Sequence, residues 1–176
     1  MEEKIDVLDF KNGKKTGEIV LKDFAHTYGI WHGSVHLIII SNDKKRILLQ
    51  KRCSLKKLFP NMWDISVGGH VSSLESSIDS IKRELGEELG LSLDKFDIKL
   101  IKRIKEIFKN GDIDSREFVD VYLTFADIDL KDVVLQEDEV SEVCWFTKQE
   151  LNDLIQSKKI VSHNEEFKII NEILVN

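Results

Sequence analysis

Apolar and polar residues alternate near the start of the chain, a pattern typical of β-strands. Two such stretches, IDVLDF and TGEIVL, flank the turn sequence KNGKK. Two alternating stretches joined by a short, glycine-containing turn are typical of a hairpin. The pattern therefore predicts an N-terminal β-hairpin over residues 3–22.

The next part of the chain predicts a connector, two paired strands and a loop. The segment KDFAHTYGIWHG predicts the connector, and SVHLIII and RILLQKR predict strands on either side of the turn SNDKK. The loop SLKKLFPNMWD contains Pro60, the only proline of the chain. The segment ISV then predicts a short strand that leads into a pair of glycines.

The second half of the chain continues the mixture of strands and helices. KFDIKLIKRIKEIF and REFVDVYLTFAD alternate in polarity around KNGDIDS, which predicts a second hairpin, and EVCWF predicts a final strand. KQELNDLIQS and NEEFKIINEIL have the spacing of amphipathic helices and predict two helices over residues 148–175. The order predicts an α/β fold with a mixed sheet.

A helix is also predicted over residues 73–88, ending at Gly90, because glycine commonly follows the last turn of a helix. One apolar stripe of this helix is expected to face the core, at about 100° per residue. Its members are Leu74, Ile78, Ile81, Leu85 and Leu89.

Three glutamates, Glu84, Glu87 and Glu88, fall together on a face of this helix that borders the apolar stripe. Like charges at such spacings repel, at a cost of a few tenths of a kcal/mol per pair. Hard divalent cations such as Mg²⁺ or Mn²⁺ prefer clusters of oxygen ligands. The glutamates taken alone indicate either a charged surface helix or a metal site.

Composition narrows the class of protein. The chain has 176 residues, 41% of them hydrophobic and 33% charged, and a net charge of −6. This charge argues against a general nucleic-acid partner. The two cysteines, Cys53 and Cys144, form neither a disulfide framework nor a zinc motif. A chain of this length suits one domain, which we expect over residues 1–176. Because the sequence lacks an apolar signal segment, we expect the protein in the cytoplasm and without a membrane partner.

A fixed spacing joins the glycine pair to the glutamates. Gly69 is followed by five residues, Glu75, seven residues, and then Arg83-Glu84-Leu85-Gly86-Glu87-Glu88-Leu89-Gly90-Leu91. The glycines permit a tight turn that presents the Gly69 carbonyl to a metal ion, and Glu75 is placed to pair with Arg83. Residues 69–91 resemble the Nudix box at each of its defined positions.

The resemblance implies a fold and a chemistry. The implied fold is an α/β/α sandwich around a mixed β-sheet, with the box forming a loop-helix-loop. The implied reaction is hydrolysis of a diphosphate linkage with Mg²⁺ or Mn²⁺ as cofactor. Glu84, Glu87, Glu88 and the Gly69 carbonyl are the expected metal ligands, and Arg83 and Glu75 are expected to hold the box together.

Residues from about Ile5 to Trp145 resemble the branch of this superfamily that includes type 1 isopentenyl-diphosphate isomerases and their hydrolase relatives. The isomerases place a cysteine where this chain has Gly68, and Cys53 does not align with it. They also carry two carboxylates where this chain has Ser115-Arg116-Glu117, so only Glu117 remains. Both departures indicate a hydrolase.

Three histidines, His26, His32 and His70, align with the metal-binding positions of the isomerases; the alternative is that they only hydrogen-bond the connector to the box. His36 lies in an apolar strand, which predicts packing or cross-strand pairing. His163 is predicted to lie on the surface.

Arg52 and Lys56 align with phosphate-binding positions, although ordinary loop cations are the alternative. The tryptophans Trp31, Trp63 and Trp145 are predicted in the core or at its rim, where one of them could stack on a nucleobase. The general-base candidates are Glu87 and Glu117, and we favour Glu117 as a supporting ligand or base. The acidic stretch 137–139 is predicted to be solvated.

These observations favour a metal-dependent pyrophosphohydrolase acting on a nucleoside diphosphate derivative, as a monomer or homodimer. Isopentenyl-diphosphate isomerase and a non-catalytic nucleotide-sensing module remain as alternatives. The isomerase would need an acid at position 68, and a sensing module would be expected to have lost glutamates of the box.

Overall fold

The most apolar stretch of the sequence, within β3 (Trp31–Ile40), forms the centre of the main sheet. Its side chains alternate between the two faces. Ile38 and Ile40 point to one side, Leu37 and Ile39 point to the other, and all four are fully buried. A strand with two apolar faces must be covered on both sides, and this determines the layers of the fold.

The computed structural model describes residues 2–175. The remaining strands are β1 (Lys4–Leu8), β2 (Lys15–Leu21), β4 (Arg46–Arg52), β5 (Trp63–Asp64), β6 (Val67–His70), β7 (Lys99–Asn110), β8 (Ile113–Phe125) and β9 (Val140–Thr147). The α-helices are α1 (Lys22–Tyr28), α2 (Ser77–Leu89), α3 (Lys148–Gln156) and α4 (Asn164–Ile173). Short 3₁₀ helices cover Leu93–Lys95 and Leu130–Asp132.

The main sheet is mixed. Its strands follow the order β5-β4-β3-β8-β7, with β6 paired to β3 and β9 paired to β4. The β3–β8 pair is parallel, from Trp31 beside Arg116 to Ile40 beside Phe125, and the other pairs are antiparallel. The hairpin β1–β2 forms a separate small sheet. The predicted α/β class with a mixed sheet is confirmed.

Helices cover both faces of the main sheet. Helix α2 packs on one face through Ile81, Leu85 and Leu89. Helices α3 and α4 pack on the other face, where Leu151 and Ile170 are buried. None of the helices within residues 2–175 combines the length and the apolar character that crossing a bilayer requires.

The predicted start of the box helix at residue 73 is wrong. Helix α2 begins at Ser77, and the Ser76 hydroxyl caps it by accepting a hydrogen bond from the Asp79 N–H at 3.3 Å. Leu74 has φ +74°, which is incompatible with a helix, and its side chain is 87% exposed. Ile78 is also 38% exposed, so the N-terminal half of the predicted core stripe faces solvent. Gly90, at φ +67°, ends the helix as predicted.

Three further expectations need correction. The predicted connector contains α1, a short helix whose Ala25 is buried. The short strand predicted at ISV instead covers Val67–His70, while Trp63–Asp64 forms β5 within the predicted loop. His163, predicted on the surface, is 2% exposed, and its two ring nitrogens contact Asp64 of β5 and Glu106 of β7.

Candidate active site

The sheet register brings distant parts of the sequence to one end of β3. In the parallel β3–β8 pair His32 lies beside Glu117, and in the antiparallel β3–β6 pair Ser34 lies beside His70. Helix α2 packs over the same region. The predicted box residues and the predicted histidines therefore share one site.

Two of the three box glutamates point into the protein and one points out. The Glu84 side chain is 13% exposed, and Glu88 is buried and accepts a hydrogen bond from Gln50 Nε2 at 3.1 Å. The Glu87 side chain is 50% exposed and lies at the rim. Glu84 and Glu88 are one helical turn apart, so their carboxylates are the inward-facing pair.

The glycine pair lies in strand β6 rather than in the tight turn that we expected. A Cβ on Gly69 would lie only 2.0 Å from Glu84 Oε1, so glycine is required for close approach and not for a positive φ. The Gly68 N–H donates to Glu88 Oε2 at 3.3 Å. The Gly69 carbonyl accepts a hydrogen bond from the Ser34 hydroxyl at 2.9 Å.

Arg83 joins the loop to the helix. Its guanidinium donates to Glu75 at 3.3 Å, to Glu84 Oε1 at 2.7 Å, to Glu87 Oε2 at 3.1 Å and to the His70 carbonyl at 3.0 Å. A guanidinium offers five donors in a rigid plane. These contacts fix Glu84 against the strand that carries Gly69.

Burial makes the inward-facing carboxylates hard to ionise. Burial raises the pKa of Glu84 to about 7; the charge of Glu87 adds to this effect and Arg83 opposes it. Burial, together with the charge of Glu84, raises the pKa of Glu88 well above its usual range. Two carboxylates with raised pKa values at one place require a compensating positive charge if both are to ionise.

The histidine cluster, which consists of His26, His32, His70 and Glu117, lies beside the box. Its ligand-type atoms all lie within 4.8 Å of one another. His26 Nε2 and His70 Nε2 are 3.1 Å apart, and His70 Nε2 lies 3.8 Å from Glu117 Oε1. His32 Nδ1 contacts the Ile30 carbonyl at 2.8 Å, whereas its buried Nε2 has no hydrogen-bond partner and faces Glu117 at 3.9 Å.

Burial and mutual repulsion keep two of these imidazoles neutral. Burial, followed by the charge of His32, lowers the pKa of His26. Burial also lowers the pKa of His70 well below its usual range, although Glu117 opposes the shift. Neutral imidazole is the form that binds metal ions.

A cavity of about 240 Å³ connects these groups. Four cations face it, and each is paired with a carboxylate: Lys22 with Glu3, Arg52 with Asp64 at 2.9 Å, Lys56 with Glu139, and Arg83 with Glu84 at 2.7 Å. Its apolar wall consists of Leu58, Phe59, Ile65, Phe108 and Val161. The cavity therefore combines acidic, cationic and apolar surfaces.

The comparison with known families decides the assignment. The family model described as "NUDIX domain" matches residues 31–168. The chain belongs to the Nudix family. Nudix hydrolase 3 of Arabidopsis thaliana is 37% identical over 162 residues, which make up 89% of this chain and 21% of that protein. An uncharacterized Nudix hydrolase of Clostridium acetobutylicum is 33% identical over 89% of this chain and 76% of its own length. The chain spans about a fifth of the length of the Arabidopsis relative and about three quarters of that of the Clostridium relative.

Solved structures support the Nudix fold. DR0079 from Deinococcus radiodurans has a TM-score of 0.70 at 19% identity, covering 97% of this chain and 99% of its own. MutT NUDIX hydrolase from Burkholderia pseudomallei has a TM-score of 0.60 at 24% identity, covering 82% and 98%. The NUDIX domain of Shewanella oneidensis NrtR, complexed with ADP ribose, has a TM-score of 0.57 at 19% identity, covering 79% and 85%.

The donor set of the Nudix box fits a hard divalent cation. Glu84 and Glu88 supply carboxylate oxygens, and the missing side chain at Gly69 leaves room for the Glu84 carboxylate against the strand. Oxygen donors of this kind suit Mg²⁺ and Mn²⁺. The histidine cluster has mixed nitrogen and oxygen donors, including the unpartnered His32 Nε2, and also fits a cation.

The acidic stretch 137–139 and the three tryptophans were also singled out in the sequence. Glu139 of the acidic stretch 137–139 faces the cavity instead of solvent alone. The tryptophans pack elsewhere: Trp31 against Phe118, Trp63 against Phe146, and Trp145 with its Nε1 donating to the Ile128 carbonyl.

The sequence analysis missed the aromatic rings that face the Nudix cavity, Phe59 and Phe108, which meet edge to face at 5.3 Å. Phe59 has φ +51° immediately before Pro60. A non-glycine residue held in this conformation is strained, and such strain is common at functional sites. The signal available in the sequence was the aromatic–proline pair in the loop.

Proposed function

We propose that this Nudix hydrolase is a pyrophosphohydrolase, dependent on Mg²⁺ or Mn²⁺, that cleaves a diphosphate linkage in a nucleoside diphosphate derivative. The observation that carries the proposal is the convergence of Glu84 and Glu88, with raised pKa values, in a cavity lined by four cations. An anionic substrate would otherwise be repelled by these carboxylates.

The box residues would hold the ions and keep them in place. Glu84 and Glu88 would provide ligands from α2, and Glu87 at the rim and the Gly69 carbonyl would add to them. Glu75 holds Arg83, and Arg83, which also faces the cavity, positions Glu84. Bound divalent ions supply the charge that polarises the phosphorus and lowers the pKa of a coordinated water.

The cations would bind the phosphates. One edge of the Arg52 guanidinium is held by the hydrogen bonds that it donates to Asp64 at 2.9 Å and to the Leu58 carbonyl at 3.1 Å. Its remaining N–H groups are available to a diphosphate, to which a guanidinium is well matched. Lys56 would exchange its contact with Glu139 for a phosphate oxygen.

The non-phosphate part of the substrate would lie against the apolar wall. Phe59 and Phe108 offer the aromatic surface that a nucleobase requires. The complex of the NrtR NUDIX domain with ADP ribose makes ADP ribose a reasonable member of a substrate panel.

Glu117 is proposed as a supporting ligand or base. It is buried, accepts a hydrogen bond from the Ser115 hydroxyl and faces two imidazoles. Glu87 is the second candidate for the base, since its half-exposed carboxylate lies at the rim of the cavity. We expect the base variant to lower kcat with little change in KM.

A second candidate function is isopentenyl-diphosphate isomerisation, which the histidine cluster favours because its histidines align with a metal site of the isomerases. The thiol of that reaction is absent at Gly68. Cys53 Sγ contacts the Asp138 carbonyl at 2.7 Å, and no cysteine is found among the described residues that line the cavity.

A substrate screen tests the proposal. The protein would be incubated with Mg²⁺ and nucleoside diphosphates, dinucleotides, sugar nucleotides, ADP ribose or isopentenyl diphosphate, and the products followed by ³¹P NMR. Glu88→Gln is the matched control. Cleavage of a nucleotide by the wild type alone supports the proposal; cleavage of none of them, or cleavage by both proteins, contradicts it.

We also propose that residues 1–176 act as one Nudix domain on a small-molecule diphosphate in the cytoplasm, as a monomer or homodimer. Size-exclusion chromatography with light scattering would measure the assembly state.

A further inference from the structure

A second cluster of histidines and carboxylates lies on the α4 side of the main sheet. It consists of His36 from β3, Glu106 from β7, and His163 and Glu166 at the start of α4. Their four ligand-type atoms all lie within 4.8 Å of one another. None of these residues belongs to the Nudix box.

The second cluster is a closely connected network. His36 Nδ1 lies 2.7 Å from Glu166 Oε1, and His163 Nδ1 lies 3.1 Å from Glu106 Oε1. Glu166 is fully buried, and its other oxygen, Oε2, has no hydrogen-bond partner. A buried carboxylate oxygen without a hydrogen-bond partner lowers the stability of the folded protein, which indicates that a partner such as a bound ion is missing.

Asp64 extends the network behind His163. His163 Nε2 lies 2.8 Å from Asp64 Oδ1, and Asp64 Oδ2 accepts a hydrogen bond from Arg52 at 2.9 Å. Histidines that bind metal ions commonly donate their second N–H to a carboxylate, which fixes the ring and its tautomer. His163 has this arrangement, with Nδ1 directed into the cluster.

The charges of the second cluster leave a deficit of two positive charges when both histidines are neutral. Arg52 offsets Asp64, and Glu106 and Glu166 remain. One dication would supply both charges.

We propose that His36, Glu106, His163 and Glu166 form a second metal site, separate from the Nudix box, that binds one transition-metal dication, with Zn²⁺ the best match. Two imidazoles and two carboxylates suit a four-coordinate Zn²⁺ better than Mg²⁺, which prefers oxygen ligands and retains water. Donors around such an ion lie about 3.4 Å apart, given bonds of about 2.1 Å. The closest donors here would therefore separate by less than about 1 Å.

The ion has a route into the site. His36, Asp64 and His163 line the same cavity as the box carboxylates. The second metal site does not depend on the proposed reaction, because it concerns binding and not turnover.

Metal stoichiometry tests the proposal. Wild-type protein, freed of metal with a chelator and reloaded with Zn²⁺, would be passed through gel filtration and analysed by mass spectrometry for bound zinc. Glu166→Gln and His163→Asn should each retain one equivalent less than the wild type. Glu172→Gln, which changes an exposed glutamate of the same helix outside both clusters, is the matched control and should retain as much zinc as the wild type.

Equal zinc content in the wild type, Glu166→Gln and His163→Asn would overturn the proposal and leave a metal-free hydrogen-bond network. Wild-type crystals soaked in Zn²⁺ provide a measurement that needs no variant. An anomalous-scattering peak about 2.0–2.2 Å from His163 Nδ1 and a Glu166 oxygen is expected. Soaked crystals with no peak at that position would refute the site even if both variants failed to fold.

Discussion

Replacing Glu84 by glutamine should stabilise the metal-free protein while abolishing its activity. Burial raises the pKa of Glu84 from 4.5 to about 7. At 1.36 kcal/mol per pKa unit, ionised Glu84 costs the folded protein about 3 kcal/mol. For a chain of this length such a change corresponds to about 6–12 °C in Tm, as an upper limit, because the glutamine amide needs its own hydrogen bonds.

The effect should depend on pH in a defined direction. The pKa of Glu84 is higher in the folded than in the unfolded protein. Ionisation of Glu84 therefore lowers the free energy of unfolding of the wild type at pH 8, and this loss is absent below pH 4.5. In EDTA at pH 8 the variant should therefore melt several degrees above the wild type. The difference should shrink as the pH falls from 7 towards 4.5, because Glu84 becomes protonated.

Thermal denaturation followed by circular dichroism measures both quantities, and adding Mg²⁺ provides the control. The wild type should gain stability from the ion at pH 8, and the variant should gain much less. A variant that melts below the wild type in EDTA at pH 8 would refute the reasoning about Glu84. A variant with turnover within about tenfold of the wild type would remove Glu84 from the metal site, since loss of a metal ligand costs more than that.

Three further perturbations test the site. EDTA should abolish hydrolysis and Mg²⁺ or Mn²⁺ should restore it; turnover that survives exhaustive chelation would exclude a metal role. Gly69→Ala should lower kcat/KM about 100-fold, because its Cβ would lie 2.0 Å from Glu84 Oε1. Gly86→Ala, with nothing nearer than 3.8 Å, should stay within about twofold, and equal losses would contradict the packing argument. Gly68→Cys should give no allylic isomer by proton NMR and slightly slower hydrolysis, since its Cβ would lie 3.2 Å from His36 Cδ2; isomer formation would show that a thiol at position 68 suffices for isomerisation.

The pattern of apolar and polar residues predicted most of the strands and helices. The two hairpins, the strand of RILLQKR and the two C-terminal helices lie close to their predicted places, because alternation and helical spacing follow directly from burial. The start of α2 was wrong because Leu74 fits the helical spacing, whereas Ser76 provides the capping hydroxyl that determines the boundary. Propensity rules did not find α1 because it is short and mostly polar.

Local spacing in the sequence likewise predicts some residues of the candidate site and not others. Glu84 and Glu88 lie one turn apart on one helix, so their spacing predicts that they point the same way, whereas Glu87, predicted on the same face, lies exposed at the rim. The second cluster joins His36 to Glu166, which are 130 residues apart, and depends on α4 packing over β3. Such contacts arise from tertiary structure and leave no local pattern, which is why His163 was placed on the surface.

Isotope incorporation tests the central claim most directly. The protein would be incubated in ¹⁸O-labelled water with Mg²⁺ and a nucleoside diphosphate derivative that it cleaves. The masses of the products would then be measured by mass spectrometry. Hydrolysis at the box predicts one ¹⁸O atom in one phosphate product for the wild type and no labelled product for Glu88→Gln. Product without label, or equal labelling by Glu88→Gln, would contradict metal-dependent attack of water at this site.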